Sequence, residues 1–199
     1  GVRKIATDNN IVLIFDECTS GFRETFGGLH KKYGVDPDMA IFGKALGNGY
    51  AITAVIGKRE VMDATQSTFI SSTFWTERIG PTAALKTLEV MEREKSWEKI
   101  TNTGKAISNR WQAMAEKYKL PIHIGGLPAL VNFNIPVDNW LKYKTLITQE
   151  MLKKNYLASN SVYVCTEHEN EIIDEYFELI EPIFNTISQC ENGKNIDDL

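Results

Sequence analysis

The sequence lacks most features that mark a specialised environment. No apolar run in its 199 residues approaches the roughly 20 needed to cross a bilayer, so no membrane partner is expected. Its start shows none of the basic, apolar and small-residue segments of a signal peptide. Cysteine is scarce: Cys18, Cys165 and Cys190 are odd in number, far apart and in no C-x-x-C pair. That argues against a disulfide framework and points to a reduced, cytoplasmic setting. His30, His123 and His168 stand alone without metal-ligand spacing, so no metal is expected. Neither sign of charge is in large excess. The 22 basic and 26 acidic side chains leave a net charge of −4, which argues against nucleic acid or a charged membrane surface as partner. Phosphate-loop motifs fail as well: a P-loop ending at Lys44 would need glycine at Asp38 and Ser or Thr at Ala45, and no G-x-G-x-x-G follows a strand. There are no internal repeats and no low-complexity segments.

What is present is an ordinary apolar fraction of 43%, enough for a normal core. The length suits one large domain, or one with a small second domain. Gly1 to Asn10 reads as the tail of a helix that began earlier, so the sequence is expected to be a piece of a longer protein. Ile11–Phe15, Met39–Phe42 and Thr53–Ile56 are short apolar runs rich in β-branched residues. Such runs predict strands buried on both faces, as in a parallel sheet between helices. Pro81 suits a first helical turn, and Ala84, Leu85, Leu88 and Met91 then recur at helical spacing. Trp97, Ile100, Gly104, Ile107, Trp111 and Met114 predict a second helix, which Gly125-Gly126-Leu127-Pro128 ends. Beyond it, Leu130–Ile135 alternates like a strand, Leu146–Leu152 reads as a helix and Ser161–Cys165 as a short strand. Thr166 to Glu169 fits a capping box before a last helix with Ile172, Tyr176, Ile180, Ile183 and Ile187 on one face. The expected fold is therefore α/β. Residues 1–126 form part of a large domain with a mainly parallel sheet and connecting helices, and 127–199 form a small C-terminal α+β domain.

Open α/β sheets place ligands at the carboxyl ends of their strands. Asp16 and Lys44 both fall at such ends. Taken singly, each reads more readily as a solvated turn residue. Taken together, a carboxylate and a lysine facing one cleft are what a pyridoxal-phosphate site needs. The lysine forms a Schiff base with the aldehyde, and the carboxylate keeps the pyridine nitrogen protonated. Burial would favour the neutral, nucleophilic amine.

Three linked segments sharpen this: Ile14-Phe-Asp-Glu-Cys-Thr-Ser-Gly-Phe-Arg23, Tyr33-Gly-Val-Asp-Pro-Asp38 and Phe42-Gly-Lys-Ala-Leu-Gly-Asn-Gly49. Their order and separation resemble the core signature of class III aminotransferases, and glutamate-1-semialdehyde aminomutases are similar. The resemblance is strong to about Glu94 and weaker beyond. It implies pyridoxal 5'-phosphate as cofactor, a small-molecule amino donor and carbonyl acceptor, and a homodimer with the cofactor at the interface. By the same resemblance, Asp16 binds the ring nitrogen. Lys44 carries the cofactor and then moves the proton at the substrate Cα. Cys18, where relatives often have Val or Ile, packs on a ring face, and Thr19 lies near the ring hydroxyl. Phe69–Glu77 resembles the loop whose hydroxyls reach the phosphate of the neighbouring subunit; Thr73 is assigned that contact with Ser72 beside it, and Thr76 is a rival. Arg23 is expected to form a structural ion pair, and Gly47 and Gly49 to let the chain turn tightly beside Lys44. Relatives build the phosphate-cradling glycine loop from an earlier part of the chain, which implies that this is a C-terminal half. Arg110 is the last arginine, so nothing after it offers a guanidinium for a substrate carboxylate. Three functions stay open: amino transfer between two molecules, a 2,1-aminomutase reaction within one molecule, and a non-catalytic α/β fragment or interaction subunit.

Overall fold

The computed structural model describes residues 1–195. The chain divides into two compact units, Gly1–Glu98 and the part from Lys99 onward. The first unit contains, in order, α1 (Val2–Asp8), β1 (Ile14–Asp16), α2 (His30–Tyr33) and β2 (Met39–Phe42). A 3-10 turn at Lys44–Leu46 leads to β3 (Ala54–Gly57) and α3 (Arg59–Met62); a second 3-10 turn, Asp63–Ser67, precedes α4 (Ile79–Glu94). The sheet order is β1-β2-β3. β1 runs parallel to β2 with Asp16 opposite Ile41, and β3 runs antiparallel to β2 with Ala54 opposite Phe42.

Only the central strand meets the expectation of a buried run. Ala40 and Phe42 of β2 pack with Leu46 and Ala84 in a small apolar cluster. In β1 and β3, Ile14, Val55 and Ile56 are about half exposed, at 49, 46 and 57%. Both strands are edges of this three-stranded sheet, and little within the unit covers them. Nor is the sheet mainly parallel among these strands: one of its two pairings is.

A polar knot compensates for the thin core. Asp38 is 8% exposed and accepts hydrogen bonds from the Leu13 amide, the Lys58 ammonium and the Arg3 guanidinium, each at 2.8 Å. It thereby ties α1, the start of β1 and the end of β3 to one carboxylate. The Leu13 amide first, then Lys58 and Arg3, hold that carboxyl far below the usual aspartate range.

α5 (Ser96–Lys117) crosses the division, and its residues from Lys99 belong to the second unit. There follow β4 (His123–Gly125), β5 (Leu130–Asn134), α6 (Trp140–Leu152), β6 (Ser161–Tyr163) and α7 (Asn170–Glu191). The sheet is antiparallel with β5 in the centre. Phe133 of β5 is fully buried, its ring 4.7 Å from that of Trp111 and 5.7 Å from that of Phe184.

The two compact units divide at Glu98/Lys99. The cause is α5: Ile100, Ile107, Trp111 and Met114 insert its apolar stripe into the second unit's core. Gly104 permits this, because a Cβ there would sit 1.7 Å from the Pro128 carbonyl oxygen. Two local expectations fail. The capping box does not form: Glu169 is the N-cap of α7 without a side-chain bond, and the Thr166 hydroxyl donates to Glu167. On α7 the buried position is Ile173, while Ile172 is exposed.

Candidate active site

The parallel register sets the site. Asp16 ends β1 opposite Ile41 of β2, and Lys44 follows Ile41 by three positions, so carboxylate and amine leave the same end of neighbouring strands. The Cys18 amide donates to Asp16 Oδ1 at 3.0 Å, which pins the carboxylate against its own turn. Cys18 also faces the second strand's exit: a Cβ on Gly43 would lie 2.8 Å from its Sγ. Lys44 itself has φ +43, in the left-handed region that non-glycine residues seldom occupy. The chain then turns through Gly47, whose Cβ would meet the Tyr50 carbonyl oxygen at 2.2 Å, and Gly49, with φ +104. The expected tight turn beside Lys44 is therefore present.

Asp16 and Lys44 are both exposed, so the expected burial of the lysine is not met within these residues. The amine is nonetheless placed: Lys44 Nζ donates to the Thr19 hydroxyl oxygen, 25 positions away. Arg23 Nε donates to the Thr19 carbonyl at 3.4 Å, which makes Arg23 part of the same turn.

Glu17 escaped the sequence reading. It is 3% exposed, directly after Asp16. Its Oε1 accepts from the His30 amide at 3.0 Å and lies 2.9 Å from His30 Nδ1, while Ser20 Oγ donates to Oε2. Burial pushes its carboxyl up, but the Ser20 hydroxyl, the amides of His30 and Leu29 and the His30 ring outweigh this and hold it below the ordinary value. The signal was slight: a second carboxylate at a strand end, with nothing local to show that His30 would close over it.

Ser72, Thr73 and Thr76 lie in the exposed loop before α4. Ser72 Oγ accepts from the Phe74 amide at 3.3 Å, and the described contacts do not bring these three hydroxyls to Asp16 or Lys44. Glu77 of this loop was also missed. Its carboxylate accepts from the Ile79 amide and, at 3.0 Å, from the Gly80 amide, satisfying free donors at the start of α4. Among the described residues there is no group of three or more metal-ligating side chains, and no helix is long and apolar enough to cross a membrane.

The profile of the class-III aminotransferase family matches residues 1–174. This chain belongs to the class-III aminotransferases. Family members similar to it include the 3-aminobutyryl-CoA aminotransferase of Cloacimonas acidaminovorans, 35% identical over 85% of this chain and 42% of that protein. The glutamate-1-semialdehyde 2,1-aminomutase of Methanocaldococcus jannaschii is 27% identical over 92% of this chain and 47% of its own length. Among solved structures, the FumI protein of Sphingopyxis sp. MTA144, in its PLP internal aldimine form, superposes over 96% of this chain and 47% of its own, with a TM-score of 0.87 at 21% identity. An omega-transaminase from Sphaerobacter thermophilus gives 0.83 at 18% identity, over 94% of this chain and 47% of its own. Those two likenesses show the α/β fold. The chain spans about half the length of the relatives it matches.

Proposed function

We propose that the full-length protein is a pyridoxal-phosphate-dependent aminotransferase that moves an amino group from a small-molecule donor to a carbonyl acceptor. One arrangement carries this reading: a carboxylate and an amine presented together at the ends of β1 and β2. The donor set suits the cofactor. Asp16 offers an anion for a ring N–H, Lys44 offers a primary amine for the aldehyde, and Cys18 offers a small soft face beside the Cβ-free surface of Gly43. When bound, pyridoxal phosphate supplies the electron-withdrawing ring. The protein's own part is then positional and acid–base. Asp16 would keep the ring nitrogen protonated, and the Lys44 amine would take the proton from the substrate Cα and deliver it to the cofactor carbon that bore the aldehyde.

The exposure of Ser72 and Thr73, among the outward-facing Phe69, Phe74 and Trp75, supports a homodimer in which Thr73, with Ser72 beside it, reaches a phosphate held by the other subunit. An active monomer in light scattering under assay conditions would contradict that contact. The second unit, with its antiparallel sheet, fits the small C-terminal domain of such an enzyme. Three free cysteines, with Cys165 exposed, fit a reducing, cytoplasmic setting.

The deciding test is borohydride reduction of the full-length protein with pyridoxal phosphate, followed by peptide mass mapping. A pyridoxyl group on Lys44, absent in a folded Lys44→Ala variant that has also lost turnover, is the expected result. A folded wild type without that adduct overturns the reading. The similarity to a 2,1-aminomutase favours a second reading, amino migration within one molecule. Tracing labelled nitrogen separates the two: retention within one product supports migration, and exchange with a second substrate supports transfer.

A further inference from the structure

The Lys44 side chain carries a contact that the cofactor reading does not require. A lysine amine on four methylenes is costly to immobilise, and an exposed one ordinarily stays free. Here Lys44 Nζ is instead bonded to Thr19 Oγ1, reaching from the turn after β2 to the turn after β1. Both ends of that bond are fixed. On the lysine side, the left-handed φ of +43 and the Cys18–Gly43 approach set where the side chain departs. On the threonine side, the turn is held by its own hydrogen bonds. The Gly21 amide donates to the Glu17 carbonyl at 2.8 Å, the Arg23 amide to the Ser20 carbonyl at 3.3 Å, and Arg23 Nε to the Thr19 carbonyl. Beneath it lies the buried Glu17 carboxylate with Ser20 and His30. The hydroxyl is thus a preset acceptor and not the tip of a loose loop.

We infer that Thr19 is a positioning residue that docks the Lys44 amine whenever that amine is not bonded to the cofactor. The proposal rests on the reading of Lys44 as the cofactor lysine. A hydroxyl suits the task because it both donates and accepts. It accepts from the ammonium form and donates to the neutral amine, so the dock holds while Lys44 gains and loses its proton. Docking keeps the nitrogen where it must act and removes the search that a free lysine would make before each encounter. The Glu17–Ser20–His30 cluster acts one layer further out, by fixing the turn that presents the hydroxyl.

The test is the rate at which full-length, cofactor-free protein captures pyridoxal phosphate at Lys44, trapped by borohydride and read by peptide mapping. It compares wild type, Thr19→Val, which keeps the shape and loses the hydroxyl, and Thr19→Ser, which keeps the hydroxyl. The expected result is capture at Lys44 slowed about tenfold in the valine variant, restored by serine, with capture at surface lysines and the thermal midpoint unchanged. Equal capture in valine variant and wild type overturns the proposal and leaves the cofactor reading standing. A serine variant as slow as the valine variant also overturns it, because the hydroxyl would then not be the cause. No capture at Lys44 even in the wild type removes both readings together.

Discussion

The two units are stabilised in different ways. Among the described residues, the second gathers twenty-one buried ones into one apolar cluster around Trp111, Phe133, Tyr143 and Phe184. The first has four, Ala40, Phe42, Leu46 and Ala84, and relies on polar ties: Asp38 to Leu13, Arg3 and Lys58, and Glu17 to Ser20 and His30. The candidate site lies in the thinly cored unit. That division of labour is physically reasonable. A cleft at strand ends needs exposed carboxylates and amines, and polar ties can fix such groups without closing the surface over them. An apolar core fixes a scaffold but leaves no room for reactive groups.

The comparison breaks or holds first on core truncation. Phe133→Ala should destabilise the second unit by about 3–5 kcal/mol, because the ring is enclosed on all sides and leaves a cavity. Phe42→Ala, with fewer buried neighbours to lose, should cost the first unit at least about 1 kcal/mol less. Hydrogen exchange resolved by peptide in the full-length protein reads each unit separately. Equal losses would mean that the first unit's core is better covered than its residues show.

The next test concerns the polar ties. Asp38→Asn keeps an acceptor for the Leu13 amide but loses both ion pairs. Several-fold lower exchange protection is expected across β1 and β3 at neutral pH. Because the folded Asp38 carboxyl lies below its ordinary value, its contribution is complete above the usual aspartate range, near pH 4, and is lost as pH falls through the folded value. The difference between wild type and variant should therefore shrink on acidification. A difference that is constant down to strongly acid pH would show that charge is not what Asp38 supplies.

The sequence disclosed these features unevenly. β2 was legible to the residue, since Met39–Phe42 is apolar and ends at a glycine. The stripe of α5 was also clear, because helical spacing persists for five turns. The strand-end placement of Asp16 and Lys44 followed from the same runs. What failed depended on distant parts of the chain. Ile172 and Ile173 are adjacent, and only the direction from which the core approaches α7 selects the second. β4 is three residues long and too short for a period. α6 begins at Trp140, six positions before the expected start, since its first turn carries mixed polar residues. Burial of Glu17 needs His30, and the partner of Lys44 needs the register of two strands. No local pattern encodes either. The left-handed backbone of Lys44 is a property of the assembled turn.

The smallest expected effect comes from a polar tie in the richly cored unit. The Tyr156 hydroxyl donates to Glu175 Oε2 at 2.6 Å. Burial first, and then that carboxylate, pushes the hydroxyl up to about 12. Its proton is therefore held more tightly in the folded state. The bond's contribution is present below the ordinary tyrosine value, near 10, and is lost as pH rises through the folded value. Glu175→Gln should lower the hydroxyl's titration midpoint, followed by NMR of labelled tyrosine, and cost the second unit less than about 1 kcal/mol at neutral pH. It sits at the rim of a core that stands without it, whereas Asp38 holds three segments that have little else in common. If Glu175→Gln loosened its unit as much as Asp38→Asn loosens the other, polar ties would matter equally in both, and the contrast between the units would lie only in the size of their cores.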